Sequence, residues 1–209
     1  MAERPFDPTR ALRIDVQSGS VIARGDMRDM RDMRVVLIPA EALAELAKSD
    51  LPGVIEGMGN LIGRAIGKRL GARLGASASS GSVESFVTEM AGELGIAGYG
   101  AVSVERWGHA LIVVVEGSAL PIRMLAPLIG AAIENATGRE VWSAMLMHDE
   151  RTARVLVSSR SAIARVRDWL DEGIAWGVAL TRLHIDARDN APGAGGARGS
   201  GETSDGDDA

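Results

Sequence analysis

The 209-residue chain carries a formal net charge of −5, has no cysteine, and is 46% hydrophobic and 24% charged. Without cysteine there are no disulfides, zinc ribbons, iron–sulfur clusters or thiol nucleophiles, and this composition excludes wholesale disorder. Six acids and two arginines lie from Asp186 onward, leaving 22 acids and 21 bases before it; so neutral a body argues against a nucleic-acid binder, whose affinity rests on neutralising phosphates.

Residues 1–10 hold two prolines and no periodicity, so they read as a flexible leader without the apolar stretch of a secretory signal. Leu12–Val16 alternates with period two, and after Ser18-Gly19-Ser20 the segment Val21–Ala23 returns as a hairpin partner. Asp-Met-Arg then occurs three times over residues 26–34, a period that suits neither helix nor strand and reads as a variable surface loop. A charged partner-binding segment is the sharper alternative. Residues 35–38 (Val-Val-Leu-Ile) read as a short buried strand, and Pro39 opens a helix over Ala40–Ala47.

The stretch from Leu51 to Gly75 is helical, interrupted by Arg64, Lys68, Arg69 and Arg73, too many charges for a membrane span. A loop at 76–81 precedes Ser82, an N-cap for a third helix with Val83, Phe86, Val87, Met90, Ala91 and Leu94 on one face and Gly95 as its stop. Ala101–Trp107 and Ala110–Glu116 form a hairpin about Gly108-His109. Leu111–Val115 is apolar throughout, which predicts a strand covered on both faces. A helix follows with Leu125, Leu128, Ile129, Ala132, Ile133 and Ala136 on one stripe, Pro127 in or near its first turn and Gly138 at its end. A second hairpin spans 140–158 around Asp149-Glu150-Arg151. The last helical pattern runs from Ser161 to His184, with Gly173 as a kink or division, and residues 186–209 read as a disordered acidic tail. The expected organisation is one domain over 11–185.

The most specific local feature is a glycine ladder: Gly59, Gly63, Gly67, Gly71 and Gly75 are each four residues apart. On a helix, residues four apart lie one above another, so the ladder makes a groove of bare backbone. Each interior glycine costs about 1 kcal/mol against alanine, a penalty that close approach of another backbone offsets. Helix packing within the fold or across a dimer is the leading reading. A smooth cavity wall and a membrane-surface helix are the alternatives. Gly57-Met-Gly59-Asn-Leu-Ile-Gly63 is one residue too long for a dinucleotide fingerprint and has no strand leading into it.

No catalytic or metal constellation emerges. His109, His148 and His184 lack a partner at ligand spacing, and no nucleophile elbow or phosphate-loop lysine is present. His148-Asp149-Glu150 reads as a polar turn, because adjacent strand residues point to opposite faces. Four tryptophans, Trp107, Trp142, Trp169 and Trp176, outnumber the other aromatics and are candidates for core packing, an apolar pocket or an interface anchor.

The helix 125–136 ending at Thr137-Gly138, the hairpin 140–158 after it, and the glycine-bearing helix from Gly59-Asn-Leu-Ile-Gly63 to Leu74 before the first hairpin resemble the 4-vinyl-reductase domain superfamily, which includes the TRAPP vesicle-tethering subunits. The likeness covers about residues 34–158. It implies an α+β plait, an antiparallel sheet built from hairpins with helices packed on it, that dimerises through its helices and holds a hydrophobic cavity. The cysteines of bacterial relatives and the acylated cysteine of the tethering subunits have no counterpart here, so no metal, cofactor or functional residue carries over.

These readings together predict a cytoplasmic, non-catalytic homodimer acting as an assembly or regulatory scaffold for a protein partner. The alternative is a sensor binding a small apolar molecule in a hydrophobic cavity. Neither reading involves nucleic acid or a membrane span.

Overall fold

The computed structural model describes residues 12–23, 33–48, 51, 53–75, 83–107 and 110–189. In chain order the elements are β1 (Leu12–Asp15), β2 (Ser20–Ala23), β3 (Met33–Val35), α1 (Ala40–Lys48), α2 (Val54–Leu74), α3 (Val83–Ile96), β4 (Ala101–Trp107), β5 (Ala110–Glu116), α4 (Ile122–Thr137), β6 (Trp142–His148), β7 (Thr152–Ser158), α5 (Arg160–Asp171) and α6 (Trp176–Asp189). The chain is α+β. Strands β1-β2-β3 form one antiparallel sheet, and β4-β5-β7-β6 form a larger one in that order. No described helix is long and apolar enough to cross a membrane.

The larger sheet sits between two helical layers, and this explains the unbroken apolar run of β5. Val113 and Val115 face a core shared with α2, α3 and α4, whereas Ile112 and Val114 face a second core shared with α5 and α6. A strand covered on both sides has no position where water rewards a polar residue. Strand β7 repeats the pattern, Val155 entering the first core and Leu156 the second. Edge strand β4 alternates instead, with exposed Ala101 and Ser103 between half-buried neighbours.

Two boundaries differ from the sequence reading for identifiable reasons, and a third, at Gly173, is decided between its two alternatives. Helix α3 runs through Gly95 and stops at Gly98 (φ +76°), where Tyr99 N–H bonds Leu94 O at 2.9 Å and Gly98 N–H bonds Gly95 O at 3.0 Å. The same paired bonds at Gly173 (φ +80°) end α5 and divide the expected long helix from α6. Residues 35–38 do not make a buried strand. Strand β3 ends at Val35 opposite Val21, beyond which β2 has only Ser20, and Val36 and Leu37 are 83% and 74% exposed. Pro39, which has no N–H to donate to a ladder, keeps that segment from pairing further.

Pro127 falls in the second turn of α4, so the Arg123 carbonyl has no helical partner there. Helix α6 continues to Asp189, past the boundary expected at 185. The leader, residues 24–32 with most of the Asp-Met-Arg repeat, Ser82, the 108–109 turn with His109, and the tail from 190 lie outside the described residues.

Candidate ligand cavity

Helix α2 presents two stripes of contrasting size. One is Gly59, Gly63, Gly67 and Gly71; the other is Met58, Leu61, Ile62, Ala65, Ile66 and Arg69. The glycine stripe is filled from within the chain. Helix α4 lies parallel to α2, so that Gly59, Gly63, Gly67 and Gly71 face the carbonyl oxygens of Met124, Leu128, Ala132 and Ala136 in turn. A Cβ on Gly59 would sit 2.5 Å from Met124 O, and on Gly67 only 2.8 Å from Asn135 Cβ. Both partners advance by four residues, so two ridges of equal pitch run side by side. Arg123 Nε, at the start of α4, donates to Glu56 Oε1 on the first turn of α2 at 2.7 Å. Gly75 stands apart from the ladder: it ends α2 with its N–H on Gly71 O, and a Cβ there would meet nothing within 4 Å. The stretch resembling a dinucleotide fingerprint lies wholly inside α2.

The second stripe of α2 faces a cavity of about 450 Å³. Its opposite wall is Leu12, Ala23 and Val35 of the small sheet with residues 36–38, and its third side is Glu93, Ile96, Ala97 and Tyr99 at the end of α3. The wall is apolar except for Arg69, Glu93 and Tyr99. Its size falls in the range of small-molecule sites.

The charged part of the wall is an ion network between α2 and α3. Arg69 Nη2 donates to Glu93 Oε1 at 3.2 Å, and Arg69 Nε lies 3.2 Å from Oε2. Arg73 also pairs with Glu93 Oε1, and its Nε is 3.6 Å from Glu89 Oε2. The side chains of Arg69 and Glu93 are only 9% and 8% exposed. Burying such a pair is tolerable because each charge keeps partners of the opposite sign. Burial raises the Tyr99 phenol above its ordinary value of 10.0, so its hydroxyl is neutral at physiological pH.

None of the four tryptophans lines this cavity. Trp142, Trp169 and Trp176 pack against the second core, across the sheet from it. Trp107 is 40% exposed and meets Trp176 edge-on at 5.7 Å. Arginines stack on three of the rings: Arg160 on Trp142, Arg165 and Arg182 on Trp169, and Arg154 on Trp176. Trp142 borders a different, half-polar hollow of about 330 Å³ with Gly130, Glu134 and Arg167.

His148 and His184 are exposed, and the described residues contain no group of three His, Asp or Glu side chains that could hold a metal ion. Asp149 is a turn residue. Its Oδ1 accepts from Arg151 and Thr152 N–H at 2.8 and 2.7 Å, which holds its carboxyl below the ordinary range.

The cavity residues were missed in the sequence, although a signal existed. Positions 58, 61, 62, 65, 66 and 69 have helical spacing beside the glycines, and Glu93 falls three residues after Met90 and seven after Phe86 on their buried face.

No family model matches the chain, and no curated protein matches it. Among solved structures it is similar to the crystal structure of the phenol-responsive sensory domain of the transcription activator PoxR with phenol. That likeness has 18% identity and a TM-score of 0.52, covers 84% of this chain and 92% of that one, and concerns the fold.

Proposed function

We propose that the chain is a non-catalytic ligand-sensing module that binds a small, largely apolar molecule between α2, the end of α3 and the small sheet. The observation that carries this reading is the 450 Å³ cavity with an apolar wall and three polar side chains. Its similarity in fold to a phenol-responsive sensory domain supports the same reading. Sensing is preferred to the assembly scaffold because the glycine ladder, open to packing within the fold or across a dimer, is occupied by α4 of the same chain.

Membership of the 4-vinyl-reductase superfamily belongs to this proposal and is supported by the order of helices and hairpins. So does a homodimer, supported by the exposure of the cavity-lining apolar residues Val36, Leu37 and Leu61, the last 67% exposed. Light scattering showing a monomer at high concentration would remove the dimer. Native mass spectrometry of freshly purified protein tests the sensor. A retained non-covalent mass that disappears in Ala65→Trp, where the indole fills the cavity, is the expected result. Identical bound mass in the two proteins would place any ligand elsewhere.

A further inference from the structure

We propose that residues 36–38 are the surface on which a second copy of this chain docks, pairing antiparallel with its own residues 36–38 about a two-fold axis at Leu37. This rests on the homodimer of the reading above, names its interface, and does not depend on the ligand.

Three observations meet at this segment. Val35-Val36-Leu37-Ile38 has the apolar, largely β-branched character of a core strand, yet Val36, Leu37 and Ile38 are 83%, 74% and 52% exposed. Consecutive exposed apolar residues of this kind are a fault in a lone chain unless they serve a function. The backbone is open as well: among the described residues neither Leu37 nor Ile38 makes a backbone hydrogen bond. The run overhangs the end of β2 and continues β3, an edge strand of the small sheet. An exposed apolar edge with unpaired N–H and C=O groups is a template for strand addition from another chain.

A second copy fits this edge better than a foreign peptide. Residues 35–38 carry no charged or polar side chain by which to select a foreign sequence, whereas an identical run matches them in length and apolar character. On a two-fold axis at Leu37, Val36 of each copy stands opposite Ile38 of the other. The flanking charges Arg34 and Glu41 fall opposite Ala40 and Met33, so no like charges oppose each other. Such a pair is closed, because both copies use the same surface. Pro39 stops the run from lengthening the ladder within the chain, but Val36, Leu37 and Ile38 keep their own N–H groups for a partner. The same three residues line the cavity, so pairing fixes the wall that they form.

Light scattering over a concentration series on the full chain, joined to cysteine crosslinking, tests the inference. The native chain has no cysteine, so an introduced thiol is the only one in each copy. The wild type is expected to dimerise, and Leu37→Cys to form a covalent dimer under mild oxidation. A residue opposite itself in an antiparallel ladder lies within disulfide range. Val178→Cys, at a position 49% exposed on α6 across the larger sheet, is expected to stay uncrosslinked. Leu37→Asp sets two carboxylates together and removes a buried leucine from each copy, which weakens the dimer by about a hundredfold or more. Mixing it with Leu37→Lys restores association, as loss of folding would not. Should the charged variants fail to fold, the two cysteine variants carry the test alone. A wild-type dimer in which both cysteine variants crosslink equally, or neither does, overturns the interface. Undiminished dimerisation of Leu37→Asp, or no association in the mixture of folded variants, does the same. A monomeric wild type overturns the homodimer with it. The ligand-sensing reading stands or falls separately, on the bound mass lost in Ala65→Trp.

Discussion

The two stripes of α2 lie side by side on one helix and have opposite fates. Along Gly59, Gly63, Gly67 and Gly71 the chain gives up side chains and α4 closes down to backbone contact. Along Met58, Leu61, Ile62 and Ile66, with Ala65 among them, it places large apolar side chains and leaves space between them and the small sheet. Apolar volume therefore does not by itself predict where a fold is dense. Density follows backbone approach, which glycine permits, and the glycine Cα–H groups facing carbonyls add contacts worth about 0.5–1 kcal/mol each. The closed side anchors α2 to the core of the sheet; the open side is then a wall of fixed shape for a ligand.

Substitutions along α2 separate the two sides, beginning with the largest effect. Gly63→Leu drives a side chain into the Leu128 carbonyl and Ala131 Cβ. It should destabilise by about 3 kcal/mol in chemical denaturation, the upper part of the usual overpacking range; unchanged stability would mean that the helices are not in contact there. Gly67→Leu should fall in the same range, about 1–3 kcal/mol. Gly57→Ala has the opposite sign. This glycine lies in the same helix, but a Cβ would meet nothing within 4 Å, so the helix-propensity gain of about 0.5–1 kcal/mol should appear in full. A loss of stability at this position would show that glycine is required along α2 for a reason other than packing.

Ala65→Trp on the open stripe should change stability by no more than about 0.5 kcal/mol while abolishing ligand binding. A large stability loss would mean that the cavity closes in solution. The smallest effect is spectroscopic. Tyr99 is the one tyrosine of the chain, so absorbance at alkaline pH reads it alone. Burial favours the neutral phenol, so its midpoint in the folded protein should lie above 10.0. The folded state then holds the proton more tightly than the unfolded state, and its contribution to stability is present below the ordinary value and lost as pH rises through the folded one. An ordinary midpoint would mean that this end of the cavity is fully hydrated.

Both long hairpins were legible because their signals are local: continuous apolar residues in Leu111–Val115 and turn residues at fixed offsets. The four-residue pitch of the ladder was equally plain, but its partner was not, since α4 follows some fifty residues later and carries no matching glycine row. The break at Gly173 stood as one of two outcomes, and only the paired carbonyl bonds decide it. Residues 35–38 misled because a largely β-branched apolar run looks like a core strand, although only Val35 of it pairs. The cavity was hidden for a deeper reason. Its wall comes from the small sheet, α2 and α3, and the space between elements has no pattern in any one of them. The tryptophans drew attention by rarity, yet they stabilise the opposite face of the sheet and support arginine stacking there.

Thermal unfolding with and without 4-ethylphenol reads out whether the open side of α2 is a ligand site. A ligand that binds only the folded state raises the transition temperature in proportion to the logarithm of its concentration above the dissociation constant. Such a rise is expected for the wild-type chain and none for Ala65→Trp. The same rise in both proteins, or no rise in either, would contradict it.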